Sequence, residues 1–140
     1  MINFIIVTHG EFGAYLVEAA ESIVGRQEEG VRVISISPRV GVSEIRERIR
    51  RVIADLSCAD GLIVFTDMPG GTPSNLAFPL VKETPGAEMV TGVNLYMLVS
   101  AFGHRKQLSL PELLAKAIAD GQKSVCDIRR RFLARAGRAG

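Results

Sequence analysis

The sequence predicts a three-layer α/β sandwich, a mainly parallel β-sheet with helices on both faces. Two observations carry that expectation. Short, β-branched apolar runs recur along the 140 residues, and amphipathic stretches with helical spacing separate them. Apolar runs without polar alternation suit strands buried on both faces, and strands alternating with helices form parallel sheets.

Asn3–Thr8 (NFIIVT) is the first such run. A helix over residues 13–25 follows, with Leu16, Ala20, Ile23 and Val24 at helical spacing and Gly25 as its stop. Val31–Ser37 (VRVISIS) is the second strand. Val42–Leu56 reads as a helix whose Ile45, Ile49, Val52, Ile53 and Leu56 form one apolar stripe. Its wet face carries Arg46, Glu47, Arg48, Arg50 and Arg51. Gly61–Thr66 (GLIVFT) is the third strand and runs into the dense loop Asp67–Pro73. There Thr72 suits a helix cap and Pro73 a first helical turn. Glu88–Val93 is the fourth strand. Ser109-Leu110-Pro111-Glu112 has capping-box spacing and opens a helix to about Asp120, with Gly121 at its end. Lys123–Arg129 alternates Val125, Asp127 and Arg129 against Ser124, Cys126 and Ile128, the pattern of a short half-exposed strand. No repeat or linker divides the chain, so a single domain is expected over residues 1–132, with a frayed tail over 133–140.

The bulk properties exclude several classes. The apolar fraction of 47% and charged fraction of 23% are those of a globular domain able to bury its own core. With 17 Lys and Arg against 15 Asp and Glu, the net charge of +2 calls for neither nucleic acid nor a membrane as partner. Part of the basic excess, Arg129, Arg130, Arg131, Arg135 and Arg138, crowds the C-terminus as a solvated end. Cys58 and Cys126 are far apart and lack metal-ligand spacing, which suits buried, reduced thiols. The opening MINFIIVTHG is too short to span a membrane and lacks a signal peptide's basic lead. A cytoplasmic protein is expected.

Chemistry in open α/β sheets gathers at the carboxyl ends of the strands. Strand one ends in Thr8-His9-Gly10, strand three in Thr66-Asp67 and then Met68-Pro69-Gly70-Gly71-Thr72-Pro73-Ser74-Asn75. If the two strands are neighbours, about 4.8 Å separates their backbones, and His9 and Asp67 fall within hydrogen-bond reach. A carboxylate that accepts from one imidazole nitrogen leaves the other as a nucleophile. Gly70 and Gly71 allow backbone N–H groups to approach an anion, the following helix points its positive end there, and Thr72 adds a hydroxyl. The loop is not a Walker loop, and no acidic pair is spaced for Mg²⁺. The combination favours a phosphate held without metal, nucleotide or other cofactor. Asp67 has an alternative reading as the Asx cap of its own turn. His104, beside Arg105 and Lys106, reads as a solvated loop residue, and Cys126 as a packing residue.

Three blocks carry a resemblance: IIVTHGEFGAYL, Asp67-Met-Pro-Gly-Gly-Thr-Pro-Ser-Asn-Leu-Ala77, and Thr91-Gly-Val-Asn-Leu95 with Met97-Leu98 after it. In this order and spacing the sequence resembles the mannose-type enzyme IIA domain of the bacterial phosphoenolpyruvate-dependent sugar phosphotransferase system. The resemblance implies a parallel four-stranded sheet in order 2-1-3-4. It also implies a homodimer in which a C-terminal antiparallel strand, here Lys123–Arg129, is exchanged between subunits. His9 would take a phosphoryl group from the phosphocarrier HPr and pass it to a histidine of an enzyme IIB in sugar uptake, a phosphotransferase activity. Asp67 matches the carboxylate partner of that histidine, and Thr72 the hydroxyl residue near the phosphate. Phe12, Met68, Pro69 and Tyr96 are candidate docking rims. Tyr96 departs from the family, which commonly has Pro there. Two rival readings remain at this level. One is a regulatory phosphoprotein of the same relay that moves no sugar; the other is a binding module for a phosphorylated metabolite.

Overall fold

The computed structural model describes residues 1–139. The chain runs β1 (Asn3–His9), α1 (Phe12–Val24), β2 (Val31–Ile36), α2 (Val42–Leu56), β3 (Leu62–Thr66), α3 (Thr72–Lys82), β4 (Ala87–Val90), α4 (Leu95–His104), α5 (Leu110–Lys123) and α6 (Ile128–Ala139). The four strands form one parallel sheet in the order β2-β1-β3-β4. Strand order reverses between β1 and β3, where Val7 pairs with Thr66, so the loops that follow these two strands open a crevice. No helix among the described residues is long and apolar enough to cross a membrane.

Alternation along β1 builds the three layers. Phe4 and Ile6 face one core with Val17 and Ala20 of α1, Leu98 and Phe102 of α4, and Leu113 of α5. Ile5 and Val7 face the other with Ile45, Ile49 and Ile53 of α2 and Leu76 and Leu80 of α3. Phe4 is the hub of the first layer, edge-on to Phe65 and stacked on Phe102 at 5.5 and 5.7 Å between ring centres. Most element bounds expected from the sequence agree within a few residues, and α2 runs over the expected Val42–Leu56.

Several expectations are corrected. Lys123–Arg129 is not a strand in this chain: α5 continues to Lys123, and α6 begins at Ile128. A strand needs a hydrogen-bonded neighbour, which this segment lacks here. Asp127 instead caps the helix, accepting from the Arg130 N–H at 3.1 Å. Residues 133–139 of the expected frayed tail form the second half of α6, and Gly140 lies outside the described residues. Gly121 does not end α5. It lies inside the helix, where a Cβ would come within 2.8 Å of Met97 Cε, so it permits close packing of α5 on α4. Thr72 is the first residue of α3, with Gly71 in the cap position. His104 closes α4 with its Nδ1 2.9 Å from the Ser100 carbonyl. Both cysteine thiols are exposed, so neither packs in a core. No range is expected for α4 from the sequence; its cap, Asn94, accepts from the Met97 N–H at 3.0 Å.

Far from the strands' carboxyl ends, Arg105 is 2% exposed and ties three segments together. Its guanidinium donates to the carbonyls of Ile2, Glu29 and Gly30 and to the side chains of Gln27 and Asn3, and it lies 4.8 Å from the Phe4 ring centre. Arg105→Ala strands these acceptors away from water. The variant is expected to lose about 3 kcal/mol of unfolding free energy in urea titration, with the m-value unchanged.

Candidate functional site

β1 delivers His9 as its last residue, and Gly10 turns the chain away at φ +51°, a conformation that glycine adopts without strain. The turn into α1 is fixed by the fully buried Thr8, whose hydroxyl oxygen accepts from the Gly13 N–H at 2.7 Å. A Cβ on Gly13 would sit 2.9 Å from that oxygen, so glycine is what lets α1 start so close to β1. β3 delivers Asp67 one residue past its end.

His9 and Asp67 meet. A single carboxylate oxygen, Oδ2, accepts from the His9 main-chain N–H at 2.8 Å and lies 2.7 Å from His9 Nδ1. The other oxygen accepts from the Met68 N–H at 2.9 Å. Burial would raise the Asp67 pKa. The hydrogen bonds from the His9 main chain and ring, the charge of a protonated imidazole and the Met68 N–H outweigh it, holding the carboxyl below the ordinary aspartate value. An ionised carboxylate only accepts, so Nδ1 carries a proton, and in the neutral imidazole Nε2 keeps its lone pair. The His9 side chain is 51% exposed against 12% for Asp67: the carboxylate is the wall and the ring the open face.

The diglycine loop closes over that ring. Gly70 turns the chain at φ +76°, and Gly71 lies against the imidazole. A Cβ on Gly71 would come within 3.0 Å of His9 Cε1 and 3.6 Å of Nε2. Thr72 shares with His9 an apolar cleft of about 570 Å³ bordered by Pro38, Val40 and Val42. Gly70 lines a different groove, between α3 and β4, so of the three residues expected around a phosphate Thr72 borders the His9 cleft and Gly71 packs on the imidazole. The first N–H groups of α3 have no carbonyl partner within the helix, and the helix dipole adds positive potential at that end.

Two expectations about the rim separate. Phe12 and Met68 are exposed at 48% and 53%. Tyr96 is exposed too, yet it borders another apolar cleft with Ile23, Leu95 and Val99. A buried hydroxyl chain escapes sequence reasoning. The Ser74 hydroxyl donates to the Met68 carbonyl at 2.7 Å and lies 2.7 Å from the Thr66 hydroxyl, which is left to donate to it. A serine in a helix's first turn looks like any capping residue, so only the fold identifies this one.

Fold and site together define a class: an α/β domain with an exposed, carboxylate-bound histidine at the switch point of its sheet. Comparison with known proteins narrows the class. The family description "PTS system fructose IIA component" (EIIA-man) matches residues 3–118. The fructose-specific EIIA component of Bacillus subtilis (strain 168) is 30% identical over 124 residues, 89% of this chain and 84% of that protein. The mannose-specific EIIAB component of Escherichia coli (strain K12) is 32% identical over 125 residues, and the match spans only 38% of that longer protein. The crystal structure of phosphotransferase system component EIIA from Streptococcus agalactiae superposes with a TM-score of 0.83 at 29% identity, over 93% of this chain and 99% of that one. This chain therefore belongs to the mannose-type enzyme IIA family and is an EIIA-type component of the sugar phosphotransferase system.

Gly71 has φ −83°, which any residue adopts, so alanine there meets the imidazole and not a strained backbone. Gly71→Ala is expected to unfold within about 0.5 kcal/mol of the parent. The displaced ring should show in NMR as a weakened His9–Asp67 hydrogen bond.

Proposed function

We propose that this protein is a cytoplasmic phosphoryl carrier that accepts a phosphoryl group from HPr on His9 Nε2 and passes it to a histidine of an enzyme IIB, for sugar uptake. The observation that carries this reading is the 2.7 Å contact between His9 Nδ1 and Asp67, which leaves Nε2 at the open face beside Gly71.

In the transfer the Nε2 lone pair forms a bond to phosphorus as the P–N bond of the donor phosphohistidine breaks. The donor imidazole leaves with the electron pair of that bond, and the equatorial oxygens pass through unchanged. The Nδ1 proton stays in place. As the His9 ring gains positive charge, Asp67 accepts a strengthened charge-assisted hydrogen bond from it. The main-chain N–H groups at Gly71 and Thr72, the Thr72 hydroxyl and the positive end of α3 supply donors for the phosphoryl oxygens. Positioning and electrostatics account for most of the rate, because phosphoryl transfer asks little covalent work of the protein. The second transfer is the same step reversed onto another imidazole, so neither phosphohistidine is a thermodynamic sink. The apolar cleft beside His9, with the exposed Phe12 and Met68, suits transient docking of both partners.

A homodimer completes this reading. β4 is an edge strand, and the groove between it and α3 is bordered by Phe78, Met89 and Thr91. The Thr91 hydroxyl is buried there with no hydrogen-bond partner among the described residues. Val125, Ile128, Phe132 and Leu133 of the C-terminal segment are exposed by half or more. In the proposed dimer, residues 123–129 of each subunit leave the conformation seen in the single chain and add an antiparallel strand to the other's β4 edge.

Incubation with phosphoenolpyruvate, enzyme I and HPr is expected to add one phosphoryl mass to the intact protein, labile in acid and stable in base. His9→Ala is expected to abolish the gain and His104→Ala to keep it; an unlabelled wild-type protein would remove the carrier reading. Light scattering is expected to give twice the chain mass for the full-length protein and the single mass after deletion of residues 124–140.

A further inference from the structure

We propose that Ser74 is a positioning residue for His9: its buried hydroxyl, held by Thr66, fixes the Asp67–Met68 turn and so sets which imidazole nitrogen is free. The rate part of this inference rests on the carrier reading; the part concerning the imidazole does not.

The chain of contacts is continuous. Thr66, wholly buried at the end of β3, donates its hydroxyl to Ser74, which is 8% exposed in the first turn of α3. Ser74 in turn donates to the Met68 carbonyl at 2.7 Å. The same residue's N–H holds Asp67 Oδ1 at 2.9 Å, and Asp67 Oδ2 holds His9 Nδ1 at 2.7 Å. Met68 is thus pinned at both ends of its main chain, by Ser74 on one side and Asp67 on the other.

The direction of each bond follows from its chemistry. The Met68 carbonyl only accepts, so the Ser74 proton goes to it and the Thr66 proton goes to Ser74. Both hydroxyls then have one defined orientation. Such a chain is stiff, because rotating either hydroxyl leaves a buried acceptor without its donor. What it stiffens is the segment 67–70, whose first residue orients the ring and whose glycine precedes the residue that packs on it. Without the Ser74 hydroxyl, Met68 and the Asp67 carboxylate acquire alternative positions. The imidazole is then no longer confined to the tautomer protonated at Nδ1.

Neither Thr66 nor Ser74 touches the His9 ring or lines the cleft beside it. The expected signature is therefore a loss in the transfer step without a loss in partner binding.

The test uses the full-length protein with nitrogen-15-labelled histidine. In the unphosphorylated parent, His9 is expected as the Nδ1-protonated tautomer at neutral pH. Ser74→Ala is expected to keep the dispersed amide spectrum of the fold while His9 shows a mixture with the Nε2-protonated form. Ser74→Thr, which retains a hydroxyl, is expected to restore the parental tautomer. Thr66→Val probes the same chain from its other end if Ser74→Ala does not fold, and Thr66→Ser is its rescue. With HPr as donor, Ser74→Ala is expected to lower the labelling rate at saturation about tenfold, with the half-saturating HPr concentration unchanged. A folded Ser74→Ala whose His9 tautomer matches the parent overturns the proposal, as does a loss confined to half-saturation. Failure of the parent to label removes the carrier reading alone, since the tautomer measurement needs no phosphate.

Discussion

The arrangement depends on one carboxylate oxygen that serves two donors of the same residue. Asp67 Oδ2 accepts from both the main chain and the ring of His9, so the side chain cannot turn away without breaking a bond that also ties β1 to the loop after β3. A histidine held only through its ring would be free to swing through its side-chain rotamers. Here the ring bond and the main-chain bond close a small cycle around Oδ2, and rotamer, tautomer and loop position become one constraint. The carboxylate remains ionised under its hydrogen bonds, which is the form the cycle requires.

That constraint exists because of topology. Only where neighbouring strands send their chains in opposite directions across the sheet do two loops open next to one another without a crossover between them. β1 and β3 are that pair, and each carries at or next to its end a buried threonine that ties its loop to the helix that follows. Thr8 secures the start of α1 through Gly13, and Thr66 secures the start of α3 through Ser74. The two loops are thus anchored independently, from opposite faces of the sheet, before they meet at the imidazole. Membership of the mannose-type IIA family accords with this plan, since the family match covers the elements that build it.

Much of this was legible in the sequence, for physical reasons. Continuous apolar runs such as Phe4–Val7 and Leu62–Phe65 have no other stable home than a strand covered on both sides, and the stripe on α2 admits one buried face. His9 and Asp67 stood out because each follows such a run. The C-terminal segment is ambiguous in sequence, since alternation over seven residues suits an edge strand or a turn between helices alike, and the single chain offers it no neighbouring strand. In the single chain the side chain of Asp127 caps the next helix. Ser74 was invisible for a different reason: its partners, Thr66 and the Met68 carbonyl, are near in sequence, but only the bend of the intervening loop brings all three together. Tyr96 borders a cleft other than that of His9, which the sequence does not show because spacing along a chain says nothing about which side of a sheet a helix covers.

The Arg105 knot lies at the opposite end of β1 from His9. Its guanidinium grips Ile2 and Asn3 at the strand's entry, while the carboxylate grips the residue at its exit. The central strand is therefore fastened like a taut string, with the reactive ring at one peg. Substitutions in the loops at the reactive end leave the string its pitch, because what tunes it is buried at the other end of the molecule.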